Sequence, residues 1–360
     1  MKKVTVMIVE DSRTVSEFLE HIINRDPRLQ VVANVRSAED ALETLPQVKP
    51  DIISLDIRLP GMNGFEATQR IMNEFPTPIV VVSSDVQDDE LNISMNALRA
   101  GALAVVQKPV GLKHSDYESL ATELCTKLVL MSQVRVIRQR YRTFTPPQEP
   151  RPATAPLAQE SPPSSGPPRV LGLVASTGGP NAIVQVLSSL GQSFEAPILL
   201  VQHITPGFVR GFVTWLNDVL PAFHVVEAQH YMPLQPRTIF VAPAGKHLAY
   251  AEPFQCHLLD LPPIGAQKPS GTILFRSLSR LGGSAAGVLL TGMGEDGALG
   301  LREMREAGAY TIAEDESTAT VYGMPAAAVK LGATSAVLPL GQIAPRLITL
   351  FNPGLHPHAP

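Results

Sequence analysis

The stretch DIISLDIRLPGMNGFE, residues 51–66, decides how the first part of the chain folds. Its apolar run Ile52-Ile53-Ser54-Leu55 stops at Asp56, and Pro60, Gly61 and Gly64 then turn the chain before an amphipathic, helix-length segment. An apolar run without alternation belongs to a strand covered on both faces, which is the habit of parallel sheets flanked by helices. Outward from it the same pattern repeats: VTVMIV (4–9) and QVVANV (30–35) before it, PIVVVSS (78–84) and AVVQKP (104–109) after it, each followed by a helical pattern. The expectation is a five-stranded, doubly wound α/β domain over residues 1–130.

The second half repeats the habit with RVLGLVAS (169–176), PILLVQH (197–203), TIFVAP (238–243), GVLLTG (287–292) and YTIAED (310–315). Helices are expected near 180–190, 206–219, 296–307 and 341–350. Residues 169–350 thus form a second, mainly parallel α/β domain, with a tail at 351–360. Between the two, nine of the 33 prolines fall between Pro146 and Pro168, in a composition that cannot bury a core and suits an extended tether, so residues 131–168 are read as a helix end followed by a proline-rich linker. A helix running from Tyr117 to Arg142 is expected to close the first domain, its arginines 135, 138, 140 and 142 lying at the negative helix end.

Length and composition bound the function. A chain of 360 residues has room for two cores, and 44% hydrophobic against 17% charged residues with a mean hydropathy of +0.10 excludes a disordered or charge-dominated protein. The balance of 29 Lys and Arg against 33 Asp and Glu offers no general basic field, so nucleic acid is not the expected partner. The apolar run after Lys2-Lys3 ends at Glu10 and Asp11, too early for a signal-peptide core or a membrane span. A buried strand in a cytoplasmic protein is expected. Cys125 and Cys256 stand alone, supporting neither a disulfide framework nor a zinc site.

In open α/β sheets chemistry collects beyond the carboxyl ends of the strands. In the first domain those ends carry Glu10 and Asp11, Asp56, Ser83 and Lys108. Three crowded carboxylates favour a hard divalent cation such as Mg²⁺. Asp56 then suits a nucleophile toward a phosphoryl group, with Ser83 as hydroxyl donor and Lys108 as neutralising cation. The plainer alternatives are helix N-caps for Glu10 and Asp11 and a surface lysine for Lys108. With VVVSSD and QKP in their places, residues 1–130 resemble a response-regulator receiver domain, which is flavodoxin-like. Asn63 departs from the Asp common before the glycine. The resemblance implies phosphotransfer from a histidine kinase onto Asp56, with Mg²⁺ held by Glu10, Asp11 and Asp56, and Ser83 as the switch hydroxyl.

In the second domain Ser176, His203 and Asp296 each follow a strand and open a helix or turn. The hydroxyl can be a nucleophile, the imidazole its base and the carboxylate the group orienting the imidazole. Taken singly, Ser176 can be a cap or part of a nucleotide loop, His203 a core histidine and Asp296 an N-cap. No Walker lysine or GxGxxG pattern is present, and the order Ser, His, Asp with VASTG in place of GxSxG departs from the α/β-hydrolases.

GLVASTGGP, LLVQHITPGFVRGF, PLQPRTIFVAPAGKH, LLTGMGEDG and EDESTATVYGMPAAAV together resemble the Rossmann-like catalytic domain of chemotaxis protein-glutamate methylesterases of the CheB type. That resemblance implies hydrolysis of glutamyl γ-methyl esters, and deamidation of glutamines, on methyl-accepting chemoreceptors. It makes Ser176 the nucleophile, His203 the base and Asp296 its orienting residue. Thr177 and the backbone around Met293 become candidates for positioning and oxyanion stabilisation, and no cofactor is needed for ester cleavage. It also implies that the unmodified receiver blocks the catalytic face until Asp56 is phosphorylated. Pro269-Ser270-Gly271-Thr272 departs from the family's Pro-Ser-Val-Asp. The turn with Lys246 and His247 can border a receptor-binding face, but a solvated loop is the preferred reading. A phosphorylation-gated docking protein without turnover, and a DNA-binding regulator, are the competing classes.

Overall fold

The structure, a computed structural model, describes residues 2–83, 95–98, 100–109, 117–134, 136 and 167–352. Most of the expected proline-rich tether, arginines 135, 138, 140 and 142, and the tail beyond 352 lie outside the described residues.

In the first domain β1 (Val4–Val9), β2 (Leu29–Val35), β3 (Ile52–Asp56), β4 (Ile79–Ser83) and β5 (Ala104–Gln107) form one parallel sheet in the order β2-β1-β3-β4-β5. Around it lie α1 (Arg13–Arg25), α2 (Ala38–Val48), α3 (Gly64–Glu74) and α4 (Tyr117–Met131), with residues 95–98 also helical. Strand β3 is buried at every position, as its apolar run requires. The caps are local chemistry: Ser12, Ser37 and Asn63 each accept a backbone N–H of the following helix, which leaves Glu10 and Asp11 free of that role. Asn63 Oδ1 takes the Glu66 N–H at 3.0 Å, the bond an aspartate would make there. Gly64 is required by packing, since a Cβ would lie 2.7 Å from the Asp56 carbonyl.

The closing helix is shorter than its apolar spacing suggested, ending at Met131 rather than Arg142. Its buried stripe, Tyr117, Ala121, Leu124, Cys125, Leu128 and Met131, ends there, and residues 132–134 form a turn. A helix is held by its packed face more than by its propensity, so it stops where that face stops.

The second domain is a seven-stranded parallel sheet in the order β14-β13-β12-β6-β7-β9-β8. Its strands are β6 (Val170–Ala175), β7 (Ile198–Gln202), β8 (His224–Glu227), β9 (Thr238–Val241), β12 (Ala285–Leu289), β13 (Tyr310–Glu314) and β14 (Ala336–Leu338). The strands β10 (His247–Ala251) and β11 (Gln255–Leu259) form a separate antiparallel hairpin. The helices are α5 (Gly179–Leu190), α6 (Val209–Val219), α7 (Gly271–Leu278), α8 (Ala298–Glu306), α9 (Met324–Lys330) and α10 (Leu340–Phe351). Because β6 lies between β7 and β12, successive connections run to opposite sides of it. That creates a crevice at the strand ends.

The two domains pack together. Asn181 of α5 donates from Nδ2 to the Leu98 carbonyl at 2.9 Å, Met95, Ala97 and Leu98 share an apolar cluster with Ala182 and Ile183, and Val321 packs against the cluster under α4.

Candidate functional site

Three neighbouring strands, β12, β6 and β7, deliver Asp296, Ser176 and His203 to one end of the second sheet. Ser176 follows β6 directly. Its N–H donates to the Thr291 carbonyl at 3.0 Å, and Gly178, at φ +78°, turns the chain into α5. A residue with a side chain would strain that left-handed turn, and its Cβ would also fall 2.5 Å from Thr320.

His203 Nε2 meets Asp296 Oδ2 at 2.9 Å, with both side chains nearly buried. The carboxylate accepts three more bonds: Ser270 Oγ at 2.6 Å, the Gly271 N–H at 2.6 Å and the Thr272 N–H at 3.2 Å. Asp296 therefore does not cap its own helix, α8, whose N-cap is Gly297. It sits at the N-terminus of α7, where amide dipoles favour negative charge. Burial pushes its pKa up, but the bonds from His203, Ser270 and Gly271 outweigh burial and hold it at about 2. The carboxylate is ionised at neutral pH and takes the Nε2 proton as a hydrogen bond. Nδ1 is thereby left as the basic nitrogen, and it is buried with no partner among the described residues.

Ser176 Oγ has no hydrogen bond to His203 among the described residues, although both line one cleft of about 840 Å³ with Thr177, Met293 and Lys268. The opposite wall is the first domain, through Leu103, Gln107 and Lys127. Thr177 is buried and its carbonyl accepts from Thr291 Oγ1 at 2.8 Å, while Met293 is 46% exposed.

Sequence reasoning gave Ser270, Gly271 and Thr272 no role, because a helix start at 270 carries no sign of which distant carboxylate will meet it. The departure at Thr272 has a structural content: its Oγ1 accepts the Gly297 N–H at 2.9 Å, an acceptor's task. A Cβ at Gly271 would lie 2.4 Å from Val174 Cγ1. His247 corrects the solvated-loop reading. It is fully buried, its Nδ1 accepting from the Ser270 N–H at 3.1 Å and its Nε2 lying 3.1 Å from the Pro262 carbonyl, because the turn leads straight into β10. Lys246 does lie at the surface, paired with Asp260 at 2.7 Å.

The first domain holds a second cluster. Glu10, Asp11 and Asp56 each offer a carboxylate oxygen within 4.8 Å of the others, a set of hard donors that suits a divalent cation such as Mg²⁺. Lys108 Nζ pairs with Glu10 Oε2 at 2.7 Å and with Asp56 Oδ2 at 2.8 Å. One ammonium does not neutralise the site. Burial and the nearby Asp56 raise the pKa of Glu10 despite Lys108, and burial raises that of Asp56. Ser83 Oγ is buried without a hydrogen-bond partner among the described residues, an open donor at the end of the next strand.

Compared with known proteins, residues 171–347 match the CheB methylesterase family and residues 6–115 the response regulator receiver domain. A protein-glutamate methylesterase/protein-glutamine glutaminase of Paramagnetospirillum magneticum is 53% identical over 350 residues, covering 96% of this chain and 97% of the relative. The chain belongs to the CheB methylesterase family. A second member, from Syntrophus aciditrophicus, is 41% identical over 357 residues, covering 96% of this chain and 98% of that one. The crystal structure of the Thermotoga maritima CheB methylesterase catalytic domain is 30% identical, with a TM-score of 0.49 over 52% of this chain and 99% of that one. The catalytic family match encloses Ser176, His203 and Asp296, and the receiver match encloses Glu10, Asp11, Asp56, Ser83 and Lys108.

Proposed function

We propose that the chain is a phosphorylation-activated serine hydrolase that removes methyl esters from glutamyl side chains of chemoreceptors and deamidates receptor glutamines. The observation that carries the reading is the convergence of Ser176, His203 and Asp296 from three adjacent strands in a chain of this family.

Ser176 Oγ attacks the ester carbonyl while His203 Nδ1 takes its proton, and Asp296 holds the imidazolium by the Nε2 bond. The oxyanion is met by the Thr177 and Met293 amides, which donate no hydrogen bond among the described residues. Collapse expels methanol, or ammonia from an amide, with the proton returned by His203. Water then cleaves the glutamyl-enzyme by the same route. The ester half needs no cofactor.

In the receiver, Asp56 accepts the phosphoryl group from a histidine kinase, Ser83 donates to a phosphoryl oxygen, and Lys108 balances charge. Glu10, Asp11 and Asp56 would hold Mg²⁺, which when bound would neutralise part of the phosphoryl charge. The receiver wall of the cleft, with Leu98 bonded to Asn181, keeps a receptor segment from Ser176. Phosphorylation adds negative charge to an already frustrated cluster and favours release of that face. No helix among the described residues is long and apolar enough to cross a membrane, and a cytoplasmic location fits this role.

The test is methanol release from a methylated receptor fragment by the full chain. Release should rise with a phosphodonor and Mg²⁺ and fall by several orders of magnitude in Ser176→Ala. Binding of the receptor without methanol release would instead favour a gated docking protein.

A further inference from the structure

Gln202 ends β7 one residue before His203 and is buried. Its Nε2 donates twice, to the Ser176 carbonyl at 2.8 Å and to the His203 carbonyl at 2.9 Å. One side-chain amide thus ties the backbones of two residues on neighbouring strands, 27 positions apart in sequence. The parallel ladder between β6 and β7 pairs Ala175 with Gln202 as its last register, and the His203 N–H reaches back to the Ala175 carbonyl at 3.0 Å. Past that bond no backbone hydrogen bond joins Ser176 to His203 among the described residues. The amide bridges that gap.

The surroundings are built to hold it. The Ser176 carbonyl takes a second bond from the Gly179 N–H at 2.9 Å, so it is fixed from two sides. A Cβ at Gly179 would fall 2.0 Å from Gln202 Oε1, so only glycine lets α5 begin this close to the amide. Oε1 itself is buried with no hydrogen-bond partner among the described residues, an unfavourable arrangement tolerated while both N–H bonds are kept.

We infer that Gln202 is a positioning residue that sets the approach of Ser176 to His203 by clamping both main-chain carbonyls. The inference rests on the proposed reading of Ser176 as nucleophile and His203 as base. Neither Ser176 Oγ nor His203 Nδ1 has a hydrogen-bond partner among the described residues, so the two must close on each other when substrate binds. Holding the two backbones shortens that search, and a misplacement of about 1 Å costs on the order of 100-fold in rate.

The experiment uses the full chain with acetyl phosphate and Mg²⁺, comparing Gln202→Met, which keeps the volume and removes both donors, with Gln202→Asn, which withdraws the amide by one methylene. Asn217→Leu serves as a control for stability alone. That side chain bonds Val213 and Val225 between α6 and β8, away from the cleft. Two rates are read per folded molecule: methanol release, and phosphonylation of Ser176 by a fluorophosphonate.

Both Gln202 variants should lose roughly 30- to 300-fold in kcat with KM within about twofold, and lose Ser176 labelling in parallel. Asn217→Leu should lower the melting temperature and leave both rates near wild type. Gln202 variants within about threefold of wild type in kcat and labelling, or falling no further than Asn217→Leu, overturn the inference. If Gln202→Met does not fold, Gln202→Asn decides by the same thresholds. If the wild type labels at Ser176 but releases no methanol, the substrate reading has failed while the labelling ratio still judges Gln202. A wild type that does not label overturns both.

Discussion

Asp296 and Asp56 are both buried carboxylates at the carboxyl ends of parallel strands, yet their surroundings drive them in opposite directions. Asp296 is met by four donors and a helix N-terminus, and its pKa falls to about 2. Asp56 shares one lysine with Glu10, lies beside a second and third carboxylate, and its pKa rises through burial. A satisfied carboxylate keeps one charge state and one geometry, as an orienting group in catalysis must. An under-satisfied cluster stores unfavourable energy that a cation can relieve and that the added negative charge of a phosphoryl group would increase, which suits a switch. The same fold end therefore makes a fixed part in one domain and a changeable part in the other.

The strongest way to break this contrast is Asp296→Asn. The amide keeps the shape but cannot hold Nε2–H as an anion does, so the imidazole loses both its tautomer and its stabilised cation. Methanol release by the activated protein should fall roughly 10³- to 10⁴-fold, as loss of the orienting acid does in other triads. A loss below about tenfold would mean that Asp296 organises α7 and not His203.

Acid titration separates the two sites by sign. A lowered carboxylate pKa contributes stability that is full above the unfolded value of 3.8 and is lost as pH falls through about 2. For Asp296 that amounts to about 2 kcal/mol. Glu10 and Asp56, with raised values, behave in reverse: their contribution is present below their unfolded values and is lost as pH rises through the folded ones. Denaturant melts of the isolated single mutants across pH 2–5 should show a flatter acid limb for Asp296→Asn than for wild type, and a steeper net acid loss for Asp56→Asn.

Asp56→Asn should also abolish the phosphodonor-dependent rise in methanol release while raising the melting temperature by about 1 to 3 °C, because it removes one of three carboxylates around a single ammonium. Millimolar Mg²⁺ should stabilise wild type and stabilise this variant less. A variant that melts lower than wild type without Mg²⁺ would show that the Lys108 pair outweighs the crowding.

What could be read from the sequence follows from what a strand is. Continuous runs such as IISL and ILLV identify buried parallel strands by themselves, and the polar residues that end a run or lie in the turn after it are placed by the sheet, so Asp56, Ser176, His203 and Asp296 could be singled out as candidates. The short edge strands HVVE and AVL carry too few apolar residues to stand out. The end of α4 depends on where a partner surface stops, and the burial of His247 depends on a bond to Ser270, 23 residues away. The pairing of Asp296 with α7 is of this tertiary kind, and no local spacing encodes it.

The smallest expected effect tests that pairing most finely. Thr272 lies in α7 and its Oγ1 accepts the N–H of Gly297, the residue after Asp296, while its own N–H donates to Asp296 Oδ1. The two loops thus hold each other by reciprocal bonds. Thr272→Val keeps the volume and the backbone donor and leaves the buried Gly297 N–H without an acceptor, at a cost of about 1 to 3 kcal/mol. Methanol release should fall only a few-fold, because three of the four donors to Asp296 do not involve residue 272. Thr272→Asp restores an acceptor but sets a second carboxylate beside Asp296, and like charges in one site push each other's pKa up. Its activity should therefore fall on the acid side of the pH profile while its stability at neutral pH stays closer to wild type than that of Thr272→Val. If Asp at 272 instead leaves the acid limb unmoved, the α7 N-terminus alone has capacity for two charges, and the low pKa of Asp296 owes more to the helix than to its individual bonds.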